Sequence, residues 1–509
     1  MVFDKFKITT NTMSLETGDV FFCFSNAEKY LTQEVFKKSS SIYCEIGFLE
    51  RIGKFLDPSK IDKYLNKIHE IKNLKTELIK QLQEKYSQPD YIVAITGTKG
   101  KTSTAWFTMQ MLGLCNIKCG YIGTIGVYLH NSEKIEKINK KYTLTTPSID
   151  ELYYYIDLLK KKNANVIVIE ASSHALQQER IEGLKICCGC FTNFSQDHLD
   201  YHGTMENYFH AKSLLFSKYL DKNGICITND KDEKSYNIKE ICLKRNITVK
   251  TIGDNCLNDF SIKSINKDKN KQNVIFTVNN VLYSFDTKIL GEFQILNILE
   301  AIAICYFAFK IKCKLLCNIA KKINSPIGRV QNIPETNIFI DFAHTPKSLE
   351  EVINLLKERY DKIVVIFGCG GDRDRLKRPI MFEIARKIAN IVILTNDNPR
   401  SEEPSKIIED MLCFYNKNKT NELTENEFVK NEINTINTKY INNVLESLEI
   451  IEDRSKAITF AIKKFYNNSK YAILIAGKGH ENYQIIGNNK KHFNDEETAQ
   501  KAIKLIKKL

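Results

Sequence analysis

At 509 residues the chain exceeds one ordinary domain, and two to four are expected, with 43% hydrophobic residues to fill their cores. A net charge of +13 raises nucleic acid as a partner, but the lysines are scattered among Asn and Ile and form no basic stripe with interleaved aromatics. A multiply anionic, phosphate-rich substrate explains a basic pocket equally well, so nucleic acid is not expected.

Fifteen cysteines, an odd number, lie singly or in apolar runs. Cys187-Cys188-Gly189-Cys190 contains a C-x-x-C, yet no second pair stands at zinc spacing, so buried free thiols and a reducing cytoplasm are expected. The N-terminus lacks the apolar core of a signal peptide. No apolar run approaches about 18 residues, so no membrane-spanning helix is expected.

Residues 1–88 are short apolar pieces ending in a charged helical stretch, His69 to Tyr86, which Ser87-Gln88-Pro89 breaks. A β/α alternation follows. Strands are predicted at 91–96, 166–170, 186–194 and 225–229, with a helix opening at Lys101, which together imply a doubly wound sheet. Short segments over 249–290 suggest a small antiparallel appendage, and Gln294 to Lys310 reads as a long helix. After a linker at Asn324-Ser-Pro-Ile-Gly328, a second series puts strands at 338–342, 362–367, 391–395 and 471–475 and a last helix from Asp495 to Leu509. Asn416 to Asn443 is rich in Asn, Lys, Thr and Glu and reads as a solvated, flexible insertion.

The most informative stretch is Tyr91-Ile-Val-Ala-Ile-Thr-Gly-Thr-Lys-Gly-Lys-Thr-Ser-Thr104. An apolar strand, a glycine turn and Lys-Thr at a helix start make a phosphate cradle. Backbone N–H groups and the helix N-terminus favour an anion, Lys101 can reach terminal phosphates, and the Thr102 hydroxyl can ligate Mg²⁺. The common P-loop would have glycine where Ile95 stands.

Glu170-Ala-Ser-Ser-His174 follows another strand, a place for a carboxylate that holds Mg²⁺ against phosphates, although a Glu at a strand end is as often structural. Thr192 to Lys212 packs two Asp, His198 and other His, and a Lys into a loop that leads into a helix. A solvated loop and a metal site both fit it. Asp341-Phe-Ala-His-Thr-Pro346, Phe367-Gly-Cys-Gly-Gly-Asp-Arg-Asp374, Thr395-Asn-Asp-Asn-Pro-Arg400 and Ala476-Gly-Lys-Gly-His-Glu481 each follow an apolar strand, so they define one binding edge of a sheet.

In that order, TGTKGKTS, LTTP, EASSHAL, TNFSQDHLDYHGTMENYFHAK, GRV, DFAHTP, FGCGGDRD, DNPR and AGKGHE resemble the Mur ligase superfamily of ATP-dependent amide-forming enzymes, and within it the diaminopimelate-adding branch. The resemblance runs from about residue 90 to the C-terminus. It implies an α/β, three-domain Mur ligase architecture: a divergent N-terminal UDP-binding domain (1–88), a central P-loop ATPase-like doubly wound sheet (89–326) and a C-terminal Rossmann-like amino-acid-binding domain (327–509). The implied reaction joins meso-2,6-diaminopimelate to the D-glutamate γ-carboxylate of UDP-N-acetylmuramoyl-L-alanyl-D-glutamate through an acyl phosphate, in peptidoglycan precursor synthesis. ATP and Mg²⁺ are the implied cofactors, and a cytoplasmic monomer is expected.

Residue by residue, the resemblance puts ATP phosphates on Gly97, Thr98, Lys99, Gly100, Lys101, Thr102 and Ser103, and the rest of the nucleotide on Asn297, Arg329 and Asp341. It implies that Thr102 and Glu170 ligate one Mg²⁺ and that Glu170, His198 and a carbamylated Lys212 serve a second; Lys101, Glu170, His198 and Lys212 form the catalytic set. Thr145, Thr146, Ser172, Gln178 and Arg180 correspond to muramyl-dipeptide contacts. Arg373, Asp397, Asn398, Pro399, Arg400, Gly477 and Glu481 correspond to the amino-acid pocket, where Arg400 with Arg373 suits a far carboxylate and Glu481 with Asp397 suits an amine. The uridine-binding turn is matched weakly: Asn11, Thr12 and Met13 stand where the family has Asp, Ser and Arg, and Lys99 stands where it usually has Asn. The alternatives are a folylpolyglutamate or tripeptide-recycling ligase, which the DNPR and GKGHE motifs argue against, and a non-catalytic nucleotide-binding scaffold.

Overall fold

The computed structural model describes residues 6–57, 61–139, 144–268, 271–420 and 445–507. They form two compact units. The first comprises residues 1–264, 274–285 and 296–323; the second comprises 265–273, 286–295 and 324–509.

The first unit opens with four strands in sequence order, Ile8–Thr9, Val20–Cys23, Ser41–Glu45 and Ile68–Ile71, all paired in parallel. The expected helix from His69 is thus a strand followed by a helix. Residues 68–71 add to the sheet edge, and the helix is Leu74–Lys85, started by the Asn73 side chain, which accepts from the Thr76 N–H. Its Leu74, Leu78 and Leu82 fall at helical spacing and are buried.

An eleven-stranded sheet carries the rest. At its centre the strand Tyr91–Thr96 pairs in parallel with Val166–Glu170 on one side and Ile186–Phe191 on the other. All three are apolar runs buried on both faces, as parallel strands covered by helices must be. This order matters for function, because three polar motifs leave the sheet at adjacent strand ends. The predicted antiparallel appendage is instead a continuation of the same sheet. Thr248–Gly253 pairs in parallel with Leu220–Asn229, and Phe260–Lys267 pairs in parallel with Thr248–Gly253. The strands Gln272–Val278 and Val281–Thr287 follow at the edge, joined through Asn279 and Asn280, both at positive φ as a two-residue hairpin turn requires.

The helix Glu292–Phe309 is long and apolar enough to cross a membrane by length and composition, but 67% of that stretch is buried in the protein, as in a core helix. All fifteen cysteines are free thiols. Burial pushes the Cys188 and Cys190 thiols far above their ordinary value.

In the second unit a six-stranded sheet runs in the order Gln331–Asn332, Ile338–Asp341, Tyr471–Ala476, Lys362–Phe367, Ile391–Leu394, Ser447–Ile450. All neighbours are parallel except the first pair. Side chains alternate between two cores. Val365, Phe367, Val392 and Leu474 pack on one face against the helices Pro346–Lys357 and Lys377–Ile388, while Val364, Ile366, Ile393 and Ile473 pack on the other against Arg454–Phe465 and Asp495–Ile506. The helix Pro404–Thr420 runs into the expected insertion, whose residues 421–443 lie outside the described residues. A hairpin of Tyr483–Ile486 and Asn489–His492 was not foreseen.

Candidate active site

The glycine loop is wrapped by the neighbouring strand end. The Thr98 N–H donates to the Asn193 carbonyl (2.9 Å) and the Lys99 N–H to Asn193 Oδ1 (2.8 Å). Thr192 Oγ1 donates to the Lys99 carbonyl at 2.6 Å. A Cβ on Gly97 would lie 1.9 Å from Thr192 Oγ1, and one on Gly100, at φ +84°, 2.6 Å from Asn297 Oδ1, so neither position admits a side chain. The helix Lys101–Leu114 begins at Gly100 and aims its N-terminus into the cradle. Lys101 folds back, its Nζ donating to the carbonyls of Gly97 (2.8 Å) and Thr98 (2.9 Å). Ser103 follows in the first turn, buried.

Glu170, fully buried, ends the adjacent strand. Its Oε2 accepts from Thr102 Oγ1 (2.9 Å) and Thr124 Oγ1 (3.1 Å), and its Oε1 from the Thr124 N–H (2.9 Å) and the Tyr121 hydroxyl. The muramyl-dipeptide set joins the same network. Thr146 Oγ1 donates to the Glu170 carbonyl (2.6 Å) and accepts from the Ser172 N–H (3.1 Å), while Thr124 Oγ1 meets Thr145 Oγ1 at 3.2 Å. Arg180 Nη1 donates to the Thr146 carbonyl (2.7 Å), and its Nη2 to Gln178 Oε1 (2.6 Å).

Lys212 is 1% exposed, and its Nζ donates to the Gly97 carbonyl at 2.7 Å. Burial first, and then the Lys101 charge, holds its amine well below the ordinary lysine value. His198, at φ +51°, heads the short helix Leu199–His202 and meets the His174 ring edge-on at 4.9 Å. Among the described residues no hydrogen bond or ion pair joins His198 to Glu170 or Lys212, and no three His, Cys, Asp or Glu side chains gather at metal-binding spacing. Thr102 and Glu170 therefore stand together, while Lys212 is tied to the phosphate loop at Gly97 and His198 packs against His174. At the N-terminal turn, Asn11 Oδ1 accepts from the Met13 N–H (2.9 Å), so Thr12 sits in a capped turn, and Met13 is 94% exposed.

In the second unit the four motifs leave adjacent parallel strands on one edge. A Cβ on Gly370 would lie 3.0 Å from Arg400 Nη1 and 3.6 Å from Arg373 Cγ, so Gly370 makes room beside the base of the Arg373 side chain for the Arg400 guanidinium. Arg400, at φ +53°, is tied through its N–H to the Ile485 carbonyl (3.1 Å), through its carbonyl to the Gly487 N–H (2.6 Å) and through Nη1 to the Gly371 carbonyl (2.6 Å). Asn398 Nδ2 donates to Glu481 Oε2 (3.0 Å). A Cβ on Gly477 would lie 2.8 Å from Asp397 Oδ2, and one on Gly371 would lie 1.8 Å from the Pro399 carbonyl. All seven expected pocket residues thus meet at one corner. Asp341 spends both carboxylate oxygens on backbone, accepting from the Val330 and Ala343 N–H groups at 2.7 Å each, and so holds Val330 at φ +45°. Arg329 lies over the Phe342 ring at 5.0 Å.

The "UDP-N-acetylmuramoyl-L-alanyl-D-glutamate--2,6-diaminopimelate ligase" of Rickettsia bellii (strain RML369-C) is 34% identical over 497 residues, spanning 97% of this chain and 94% of that protein. The chain belongs to the Mur ligase family. Residues 95–305 match the profile of the Mur ligase middle domain, and residues 328–479 match that of the Mur ligase glutamate ligase domain. The protein of the same name from Anaplasma marginale (strain St. Maries) is 31% identical over 506 residues, 97% of this chain and 95% of its own. Among solved structures, one titled for that same ligase superposes with a TM-score of 0.62 at 24% identity, covering 98% of this chain and 95% of that one, so its fold is shared.

As a Mur ligase, the chain shows site residues that the sequence reading did not single out. Lys478 is fully buried, and its Nζ donates to Glu481 Oε2 (2.9 Å) and Asn398 Oδ1 (3.2 Å). Gln484 Nε2 donates to the Asp397 carbonyl at 2.8 Å. Behind Arg400, the fully buried Arg378 donates to Glu402 (2.8 and 2.9 Å) and Asp410 (2.7 Å). The Arg378 side chain holds the Glu402 carboxyl down at about 2. The signal for Lys478 lay inside the Gly-Lys-Gly-His-Glu motif, while Arg378 and Glu402 fall just outside the quoted motifs.

Proposed function

We propose that this Mur ligase uses ATP to join meso-2,6-diaminopimelate to the D-glutamate γ-carboxylate of UDP-N-acetylmuramoyl-L-alanyl-D-glutamate, acting as a cytoplasmic monomer with its domains at 1–88, 89–326 and 327–509. The observation that carries the amino-acid choice is Arg400, fixed by two backbone bonds and one side-chain bond beside Arg373. A guanidinium so held, with Arg373 beside it, suits the distal carboxylate of diaminopimelate, which lysine lacks. Glu481 and Asp397 suit the distal amine. The names of the Rickettsia and Anaplasma relatives support the same reading.

The γ-carboxylate oxygen attacks the γ-phosphorus of ATP, giving an acyl phosphate and ADP. The amine of the incoming amino acid adds to the acyl carbon and loses a proton, and collapse of the tetrahedral adduct releases phosphate and leaves the amide. Gly97 to Ser103 cradle the phosphates, and Lys101 swings from its loop carbonyls to meet them. Asn297, Arg329 and Asp341 take the rest of the nucleotide, while Thr12 belongs to the uridine turn. Thr145, Thr146, Ser172, Gln178 and Arg180 orient the dipeptide carboxylate beside Glu170. The work of the protein is positioning and charge neutralisation. The Thr102 hydroxyl and Glu170 carboxylate, 2.9 Å apart, are the oxygen donors a hard cation takes, and Mg²⁺ bound there supplies charge neutralisation at the phosphates. Lys212, whose amine burial holds well below the ordinary lysine value, is the kind of amine that adds carbon dioxide to form a carbamate with loss of one proton, which turns a hydrogen-bond donor into an oxygen ligand.

The test is ADP release by the purified chain with the UDP-linked dipeptide and diaminopimelate, lysine or glutamate in turn. Release that requires diaminopimelate supports the reading. Equal release with glutamate, or none with any amino acid, overturns it.

A further inference from the structure

One buried carboxyl has no role in the reaction just described. Glu300 lies on the helix Glu292–Phe309, fully buried, behind the phosphate loop. Its Oε2 is 2.8 Å from Thr104 Oγ1 on the loop helix, and its Oε1 accepts from Asn229 Nδ2 (3.0 Å) at the end of Leu220–Asn229. Asn229 Nδ2 also donates to the Thr192 carbonyl (2.6 Å), and Thr192 Oγ1 donates to the Lys99 carbonyl (2.6 Å). The carboxyl therefore touches the helix that follows the loop and, through Asn229, reaches the strand end that wraps it.

We infer that Glu300, carried in its protonated form, is a positioning residue of the nucleotide site that locks the loop helix to the Thr192 strand end and turns the Thr104 hydroxyl toward Asn297. The inference rests on the nucleotide reading of the loop and extends it.

With the Asn297 amide oxygen turned toward Thr104, hydrogen-bond counting favours the proton. Thr104 Oγ1 stands 2.8 Å from Glu300 Oε2 and 3.3 Å from Asn297 Oδ1, two acceptors around a hydroxyl with one proton. If Glu300 is a carboxylate, Thr104 must donate to it and leaves Asn297 without that bond. If Glu300 carries the proton, it donates to Thr104, and Thr104 donates onward to Asn297, whose Oδ1 bears directly on Gly100. Each bond in that chain is then made once. The surroundings favour the neutral form. Thr104, Asn229 and Asn297 are uncharged, the Cys190 thiol that feels Glu300 is kept neutral by its own burial, and among the described residues no Lys, Arg or His forms a hydrogen bond or ion pair with Glu300. Burial pushes its carboxyl up to about 8, against the pull of the Thr104 and Asn229 bonds.

The test is ADP affinity by calorimetry on the full chain across the range from about pH 6.5 to about 9, for wild type, Glu300→Gln and Glu300→Leu. Wild-type affinity should fall about tenfold toward the alkaline end, the equivalent of one good hydrogen bond. Glu300→Gln, which donates permanently to Thr104 and still accepts from Asn229, should stay within about threefold of the wild type at neutral pH and lose the alkaline fall. Glu300→Leu should bind about tenfold more weakly at every pH. If Glu300→Gln keeps the wild-type alkaline fall, or Glu300→Leu binds like wild type, the inference is wrong and the nucleotide reading stands. A wild-type chain that binds no ADP at any pH overturns both.

Discussion

Lys101 and Lys212 end on one atom. Their Nζ groups lie 2.8 and 2.7 Å from the same Gly97 carbonyl oxygen. Two ammonium groups converging on one acceptor repel, and burial together with the Lys101 charge holds the Lys212 amine well below its ordinary value.

With its amine held well below the ordinary lysine value, Lys212 should take up carbon dioxide. Isotopically labelled bicarbonate is expected to give a carbamate resonance in the wild type that Lys212→Ala lacks. Lys212→Ala should lower turnover on the order of a hundredfold or more, as loss of an electrostatic stabiliser does, and added short carboxylates should restore part of it. A wild type without that resonance would return Lys212 to being a buried prop for the loop.

Arg400→Ala should collapse the preference for diaminopimelate over lysine. Loss of one desolvated charge-assisted pair costs about 2–5 kcal/mol, roughly thirtyfold to several thousandfold in kcat/KM for diaminopimelate. The poor rate with lysine should barely move. Arg400→Lys should recover only part, because an ammonium cannot make the two-pronged contact. An equal fall for both amino acids would make Arg400 a support for the Gly371 turn alone.

Arg454 and Asp495, both fully buried, pair through two bonds of 2.8 Å, and Arg454 Nη2 also donates to the Ala476 carbonyl just before Gly477. Removing one partner strands a buried charge, so Asp495→Ala should destabilise the second unit by ~3–5 kcal/mol in denaturant titrations. Arg454→Met combined with Asp495→Leu should regain most of that. A single variant within ~1 kcal/mol of wild type would contradict the burial seen for this pair.

Glu300 carries a stability signature as well. Its folded carboxyl lies at about 8 against an ordinary 4.5, so between those values the folded chain holds a proton that the unfolded chain gives up. Stability then falls as pH rises through that window and levels off above it. Glu300→Gln removes the effect. Its melting point should match the wild type in acid, rise above it through the window, and keep a constant lead beyond. A pH-independent difference would mean that Glu300 is ionised in the fold.

Much of this was legible in the sequence because parallel strands buried on both faces read as unbroken apolar runs. Tyr91–Thr96, Val166–Glu170 and Lys362–Phe367 fall where they were expected. The stretch from His69 was misjudged because Ile68–Ile71 is a short edge strand with two exposed polar residues, which carries no apolar run. The strands after 249 look like a separate appendage in one dimension because pairing partners are set by tertiary contact, not by local pattern. Within the site, residue types pointed to Arg400 and Glu481, but nothing in one dimension says that Lys478 turns inward onto Glu481, or that Arg378 reaches across to Glu402.

The acyl phosphate is the centre of the account, and positional isotope transfer tests it most directly. UDP-N-acetylmuramoyl-L-alanyl-D-glutamate carrying heavy oxygen in the γ-carboxylate is incubated with the protein, ATP and diaminopimelate, and the released phosphate and the product are weighed by mass spectrometry. The account predicts one heavy oxygen in each phosphate released and a product enlarged by one diaminopimelate residue. Amide product accompanied by unlabelled phosphate would contradict it.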